Sequence, residues 1–333
     1  MRFIFSLVLS LFSIEAFAAP CLELDVISYE GLVQNDPESI RTLRKAFFEK
    51  GIGGIRGVPG FEEKVAAFIK AARLFASLPD EVKEKYCRKP GELFLGYELG
   101  KEKFKRPDGT WVVDDQKGSY YAFVPDAKEN KWPTEFDLCT PYQEIGTLMR
   151  KMGMAVMEKI GLTGPATGIS VENQPSVSRM LIYRGKEGTF VDNPFWCGAH
   201  FDHGLFTTLL PSFYFLNGEE IEEPEEAGLY VRVRNGEEFQ KVAADPGVLM
   251  FQAAEFGQLA TDDAVRATEH WVQKANRPGI ERYTMATFFD APMQTVVHSR
   301  SELVQDTRYG GGLGDPCTYL QWHEASFKRY ISE

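Results

Sequence analysis

The chain has 333 residues, 44% of them hydrophobic and 26% charged, and a formal net charge of -11. That balance belongs to a globular protein with a sizeable core, and the acidic surplus argues against a nucleic-acid surface or a polybasic membrane contact. The five cysteines (Cys21, Cys87, Cys139, Cys197 and Cys317) show neither a metal-type spacing among themselves nor a disulfide framework.

Met1-Arg2 supplies a small basic start, Phe3 to Ile14 is an apolar run broken only by serines, and Ala16-Phe17-Ala18 is a small-x-small cleavage pattern. Residues 1–18 therefore read as a secretory signal peptide, shorter than the ~20 apolar residues of a spanning helix. The expected location is periplasmic or secreted, with no membrane attachment once the signal is removed.

After a strand-like start, Leu22 to Ile27, Asp36-Pro37 opens a helix with a capping carboxylate and a proline in its first turn. Ile40, Leu43 and Phe47 recur on one face, and Gly51 is placed to end it. A longer helix carries Val65, Phe68, Ile69, Leu74 and Phe75 inward until Leu78-Pro79 breaks it, and residues 80–86 restart a short charged helix. A third follows Thr140-Pro141, with Ile145, Leu148, Met149, Met152, Val156 and Ile160 inward, and ends at Gly161.

From about residue 176 the period shortens. Val177 to Tyr183, Ala199 to Leu210, Gly228 to Val233, Gln240 to Ala243, Val248 to Ala254, Ala267 to Lys274 and Arg282 to Phe289 read as strands bounded by turn residues. Asn217 to Glu226, rich in glutamate, reads as a solvated hairpin tip. Thr318 to Ile331 reads as a terminal helix that packs Tyr319, Trp322, Phe327 and Ile331 over the sheet. The expected fold is mainly β with a helical amino-terminal part: a helical region over 19–170, then a sandwich or jelly-roll core with a carboxy-terminal helix over 171–333.

The chemistry-bearing residues concentrate in that second half. His200 and Asp202, two apart on an extended segment, are expected on one face, where an imidazole and a carboxylate can reach one ion together. With His270 from another strand they give two imidazoles and one carboxylate, a set that leaves coordination positions open on non-haem ferrous iron. Arg282 and Thr284, again two apart, are expected to project into the same cavity, and a guanidinium can grip a carboxylate with two charge-assisted bonds. His203 reads as a group behind or beside the site, and Cys197 raises a zinc alternative that lacks a second nearby cysteine. Phe195, Trp196 and Phe201 either line a substrate pocket or pack the sandwich. His298 and His323 read as surface or capping groups, and Gly310 to Gly314 as a loop rather than a phosphate cradle.

The ordered string His200-Phe201-Asp202-His203-Gly204-Leu205-Phe206-Thr207-Thr208-Leu209, Gly228-Leu229-Tyr230-Val231, Asp245-Pro246-Gly247, His270 and Arg282-Tyr283-Thr284 resembles the isopenicillin N synthase-like family of Fe(II)/2-oxoglutarate-dependent dioxygenases. The resemblance implies a double-stranded β-helix, or jelly roll, behind a helical amino-terminal part. It implies that His200, Asp202 and His270 hold Fe(II), that Arg282 and Thr284 anchor the distal carboxylate of 2-oxoglutarate, and that Tyr183 contacts this cosubstrate. The implied reaction consumes O2 and couples oxidative decarboxylation of 2-oxoglutarate to oxidation, by default hydroxylation, of a small organic substrate. The chain departs from the family pattern at Leu181, where asparagine is common, and at Trp271, where arginine is usual. It departs again at Gln252 and Glu255, in place of asparagine and aspartate, at Thr284 for serine, and in an extended connection through Asn276 to Gly279. These departures indicate a divergent branch whose substrate is not to be copied from a familiar member. Two alternatives stand beside this reading: an oxidase of the same fold that uses no 2-oxoglutarate, its Arg282 and Thr284 holding a substrate carboxylate instead, and a noncatalytic metal- or ligand-binding module.

Overall fold

In the computed structural model the described residues are 21–331, apart from 90–94, 101–102, 106–109, 114, 186–192, 234–235, 237, 244 and 307–315. The expected signal peptide and the Gly310 to Gly314 loop lie outside them. The Asp36 carboxylate accepts the Ser39 amide at 2.9 Å and caps helix α1 (Pro37–Glu49), which buries Leu43, Ala46 and Phe47. Gly51 follows at φ +72, and a Cβ there would collide with the Arg266 carbonyl, so only glycine makes this turn from helix into sheet. Helix α2 (Phe61–Ser77) ends before Leu78-Pro79 as expected and buries Val65, Phe68, Ile69 and Phe75, whereas Leu74, expected inward, is 46% exposed. Helix α3 (Cys139–Ile160) closes on Gly161 at φ +81.

Two sheets face each other beyond these helices, giving the jelly-roll core. In chain order the main strands are β1 (Val26–Ser28), β2 (Ile52–Arg56), β3 (Gly96–Leu99), β4 (Lys117–Val124), β5 (Ser176–Arg184), β6 (Phe195–His200), β7 (Phe206–Leu209), β8 (Phe213–Leu216), β9 (Glu219–Ile221), β10 (Gly228–Arg232), β11 (Gln240–Val242), β12 (Val248–Ala253), β13 (Glu269–Gln273) and β14 (Ile280–Phe289). The larger sheet runs β1-β2-β12-β7-β14-β5-β4-β3, with β8 also paired to β14 and β9 to β8. The smaller runs from the two-residue strand Cys21–Leu22 through β11, β10 and β13 to β6. One face of the larger sheet, including Tyr120, Ala122, Met180, Ile182, Phe206, Phe251, Met285 and Phe289, packs with the helices in the main core. The other face meets the smaller sheet through Leu181, Tyr183, Trp196, Tyr214 and Val272.

Three strand expectations change. β4 lies within the region expected to be helical, yet it pairs with β5 along its whole length. The run Ala199 to Leu210 is two strands in different sheets, β6 and β7, joined by residues 201–205. The glutamate-rich loop begins with a tight hairpin: Asn217 and Gly218 at φ +53 and +88 turn β8 into β9. At the carboxyl end, helix α4 (Tyr319–Ile331) buries Tyr319 and Trp322 and ties to the core where the Trp322 indole donates to the His203 carbonyl at 2.8 Å. Phe327 and Ile331, expected to pack beside them, have side chains outside the described set. No disulfide joins any of the five cysteines.

Candidate metal centre

The switch of the chain from one sheet to the other builds the site. His200 is the last residue of β6 and lies directly opposite His270 of β13, with ring centroids 4.2 Å apart. Asp202 is not on the strand with His200, as the spacing suggested, but in the connecting loop. There its carbonyl accepts the Glu255 amide at 2.8 Å, and its carboxylate Oδ2 accepts the Thr207 hydroxyl at 2.6 Å. Its Oδ1 is 3.8 Å from His200 Nε2, and one candidate ligand atom from each of His200, Asp202 and His270 lies within 4.8 Å of the others. Among the described residues this is the one such cluster.

The supports behind these three side chains aim one atom of each at the centre. His200 Nδ1 is 2.8 Å from the Gly198 carbonyl and His270 Nδ1 is 2.9 Å from the Thr268 carbonyl. A carbonyl only accepts, so each Nδ1 carries a proton and Nε2 is the nitrogen each ring turns to the centre. Thr207 engages Asp202 Oδ2 and leaves Oδ1 on the histidine side. Two neutral imidazole nitrogens and one carboxylate oxygen suit Fe(II). The Cys197 sulfur, 3.8 Å from His200 Nδ1, lies at the ring nitrogen already turned to Gly198, which removes it from the same ligand set. His203 is also outside the cluster: its carbonyl holds Trp322, and its ring packs 5.4 Å from His323. His323, expected as a surface or capping group, packs on His203 where α4 docks.

The three groups bias one another's protonation. Burial works against the charged form of His200, but Cys197 and Asp202 outweigh it and lift the imidazole to about 9. Burial, then the neighbouring His200, pushes His270 down to about 4. Burial alone would raise the Asp202 carboxyl, but the two histidines and Thr207 hold it below the usual carboxylate value.

Deeper between the sheets, Arg282 on β14 is 4% exposed, and its Nε and Nη1 have no hydrogen-bond partner. Burial opposes the Arg282 charge, but Tyr214, Tyr183 and Glu223 more than offset it and raise the guanidinium above its ordinary value. Strand register places Tyr183 of β5 opposite Arg282 on one side and Tyr214 of β8 opposite it on the other. The guanidinium carbon lies 4.9 Å from the centre of the Tyr183 ring, and the Tyr214 hydroxyl donates to Glu223 at 3.0 Å. A buried, incompletely paired guanidinium is costly without an anion, which fits the carboxylate-holding role. Thr284, two residues along β14 and 3% exposed, donates its hydroxyl to the Leu210 carbonyl at 2.9 Å. The structure therefore gathers Arg282, Thr284 and Tyr183 on one inner face, with the threonine hydrogen already committed.

Trp196, left open between pocket and packing, is 1% exposed and lies between Tyr183 and Tyr214, at 5.5 and 6.5 Å between ring centroids. Phe195 instead packs on Trp271 at 5.1 Å. Sequence reading missed Thr207 and Tyr214. Thr207 stands within the run His200 to Leu209, where its position five residues after Asp202 was the available signal. Tyr214 becomes visible only through the register of β8 on β14.

Residues 24–136 match the family model described as the non-haem dioxygenase in morphine synthesis N-terminal region. No curated protein matches the chain in sequence. Among solved structures, a full-length Neurospora crassa protein in complex with alpha-KG superposes with a TM-score of 0.71 at 20% identity, over 91% of this chain and 96% of that one. JOX2 in complex with 2OG, Fe and JA gives 0.64 at 20% identity, over 93% and 86%. AtDAO1, the dioxygenase for auxin oxidation 1 from Arabidopsis thaliana, gives 0.61 at 16% identity, over 85% and 97%. The chain thus pairs an amino-terminal region matching that of non-haem dioxygenases with the fold of the 2-oxoglutarate- and Fe(II)-dependent oxygenases, in agreement with the isopenicillin N synthase-like family that its sequence resembles.

Proposed function

We propose that the protein is an Fe(II)- and 2-oxoglutarate-dependent dioxygenase that hydroxylates a small organic substrate. The observation that carries this reading is the pairing of the His200, Asp202 and His270 cluster, its Nε2 atoms and Oδ1 turned to one point, with a buried Arg282 whose Nε and Nη1 lack partners. Bound Fe(II), together with O2 and 2-oxoglutarate, would supply the oxidising power by decarboxylating the 2-oxo acid to succinate and carbon dioxide. His200 and His270 would hold the metal as neutral donors, and Thr207 would keep Asp202 in one orientation. Arg282 would grip the distal carboxylate, with Tyr183 packed against the guanidinium face. The closed layer around Tyr183, Trp196 and Tyr214 would exclude water from that carboxylate.

The support for 2-oxoglutarate over a substrate carboxylate is the burial of Arg282 between the sheets, together with fold neighbours crystallised with that compound. Aerobic incubation with Fe(II) and 2-oxoglutarate should yield succinate above the background of His200→Ala, even before the substrate is known. Purified protein that forms no succinate, alone or with broad substrate panels, would contradict the reading. Export belongs to the proposal as well, supported by the Met1 to Ala18 pattern; a native amino terminus beginning at Met1 would remove the periplasmic or secreted location and leave the chemistry intact.

A further inference from the structure

Thr284 is the hydroxyl that the sequence pairs with Arg282, yet its hydrogen goes to the Leu210 carbonyl. A dicarboxylate end at Arg282 therefore needs another neutral donor. The buried layer supplies one: Trp196 Nε1, which has no hydrogen-bond partner on a side chain 1% exposed. An indole N–H is donor-only, so burial without an acceptor is unfavourable unless a ligand provides one. Its ring packs on both aromatics that face Arg282 from opposite sides, Tyr183 and Tyr214. Tyr214 cannot be that donor, because its hydroxyl hydrogen goes to Glu223; strand register sets it directly opposite Arg282, with the hydroxyl oxygen still open as an acceptor.

We propose that Trp196 is a cosubstrate-binding residue whose indole N–H donates to the distal carboxylate held by Arg282, and that Tyr214 is a positioning residue for the guanidinium. Together they make the site selective for a 2-oxo dicarboxylate over a 2-oxo monocarboxylate. This inference rests on the 2-oxoglutarate reading above. The fourth residue before His200 thus couples cosubstrate recognition to the same strand that carries a metal ligand.

The test is anaerobic titration of the Fe(II)-loaded full chain with 2-oxoglutarate and with 2-oxopentanoate, which has the same carbon count without the distal carboxylate, read by the visible metal-to-ligand band. Trp196→Phe and Tyr214→Phe should each weaken 2-oxoglutarate by about tenfold, the equivalent of one hydrogen bond to a charged group, and change 2-oxopentanoate by less than about twofold. Equal weakening of both acids would assign Trp196 to packing and overturn the inference alone, as would unchanged 2-oxoglutarate affinity in Trp196→Phe. A wild-type protein that binds Fe(II) but gives no band with either acid would overturn the cosubstrate reading itself. If Trp196→Phe does not fold, Trp196→His, which keeps an N–H donor in an aromatic ring, and Tyr214→Phe carry the comparison; loss of discrimination only in the variant lacking its polar atom supports the inference, and retained discrimination in Tyr214→Phe overturns the positioning role.

Discussion

Thr207→Val removes one hydroxyl with almost no change of shape, at a residue 1% exposed whose oxygen donates to Asp202 Oδ2 at 2.6 Å. A hydrogen bond to a charged group contributes about 1.5–3 kcal/mol, and loss of a partner behind a metal ligand costs roughly 10–100-fold in metal affinity, which is about 1.4–2.8 kcal/mol. The two ranges agree because the freed carboxylate can rotate away from the position in which Oδ1 faces the histidines. The assay is anaerobic competition for Fe(II), or for Mn(II) as a redox-stable substitute, against a chromophoric chelator. Urea unfolding of the metal-free variant checks the fold. A variant that folds as the wild type and binds metal within about twofold of it would refute the claim that Thr207 fixes Asp202.

Metal binding should release protons, because both imidazoles must bind as neutral rings. His270, near 4, is already neutral at pH 7, whereas His200, raised to about 9, still carries its proton. Metal affinity should therefore increase as pH rises towards 9 and weaken as it falls, with about one proton released per ion near neutrality; calorimetry in buffers of different ionisation enthalpy that finds none would count against this. Arg282→Lys keeps the charge and loses the planar fork, so 2-oxoglutarate affinity should drop at least about tenfold while Fe(II) affinity holds; equal affinity in equilibrium titration would exclude a two-bond grip. Gly153→Ala puts a Cβ into the Phe289 ring and 2.7 Å from Thr208 Oγ1, where α3 crosses β7 and β14, and should destabilise by about 1–3 kcal/mol in urea unfolding; an unchanged midpoint would mean that the helix shifts freely.

The helices were legible because their signals are local. Asp36-Pro37, the apolar stripe to Phe47 and the glycine at 51 sit within one window, as do Leu78-Pro79 and Gly161. β4 was not, because both of its faces are covered. Tyr120, Ala122 and Val124 meet the helices while Lys117, Ser119 and Tyr121 face inward, so no alternation of polar and apolar residues marks it. The hairpin at Asn217-Gly218 was legible, but the glutamates that follow hid the short strand β9, which the tip was expected to leave as loop. At the site, the order His200, Asp202, His270, Arg282 stood out in the sequence, but two relations did not. Asp202 leaves the strand because the chain changes sheets after His200, and Tyr214 meets Arg282 from far along the chain only through the pairing of β8 with β14.

The most direct probe of the centre and its cosubstrate together is anaerobic addition of Fe(II) and then 2-oxoglutarate to the protein lacking residues 1–18, followed in the visible region. A metal-to-ligand charge-transfer band is expected, one that disappears in His200→Ala and needs much more 2-oxoglutarate in Arg282→Ala. Tight metal binding with no such band would contradict the cosubstrate site, and a band that survives His200→Ala would contradict the metal centre.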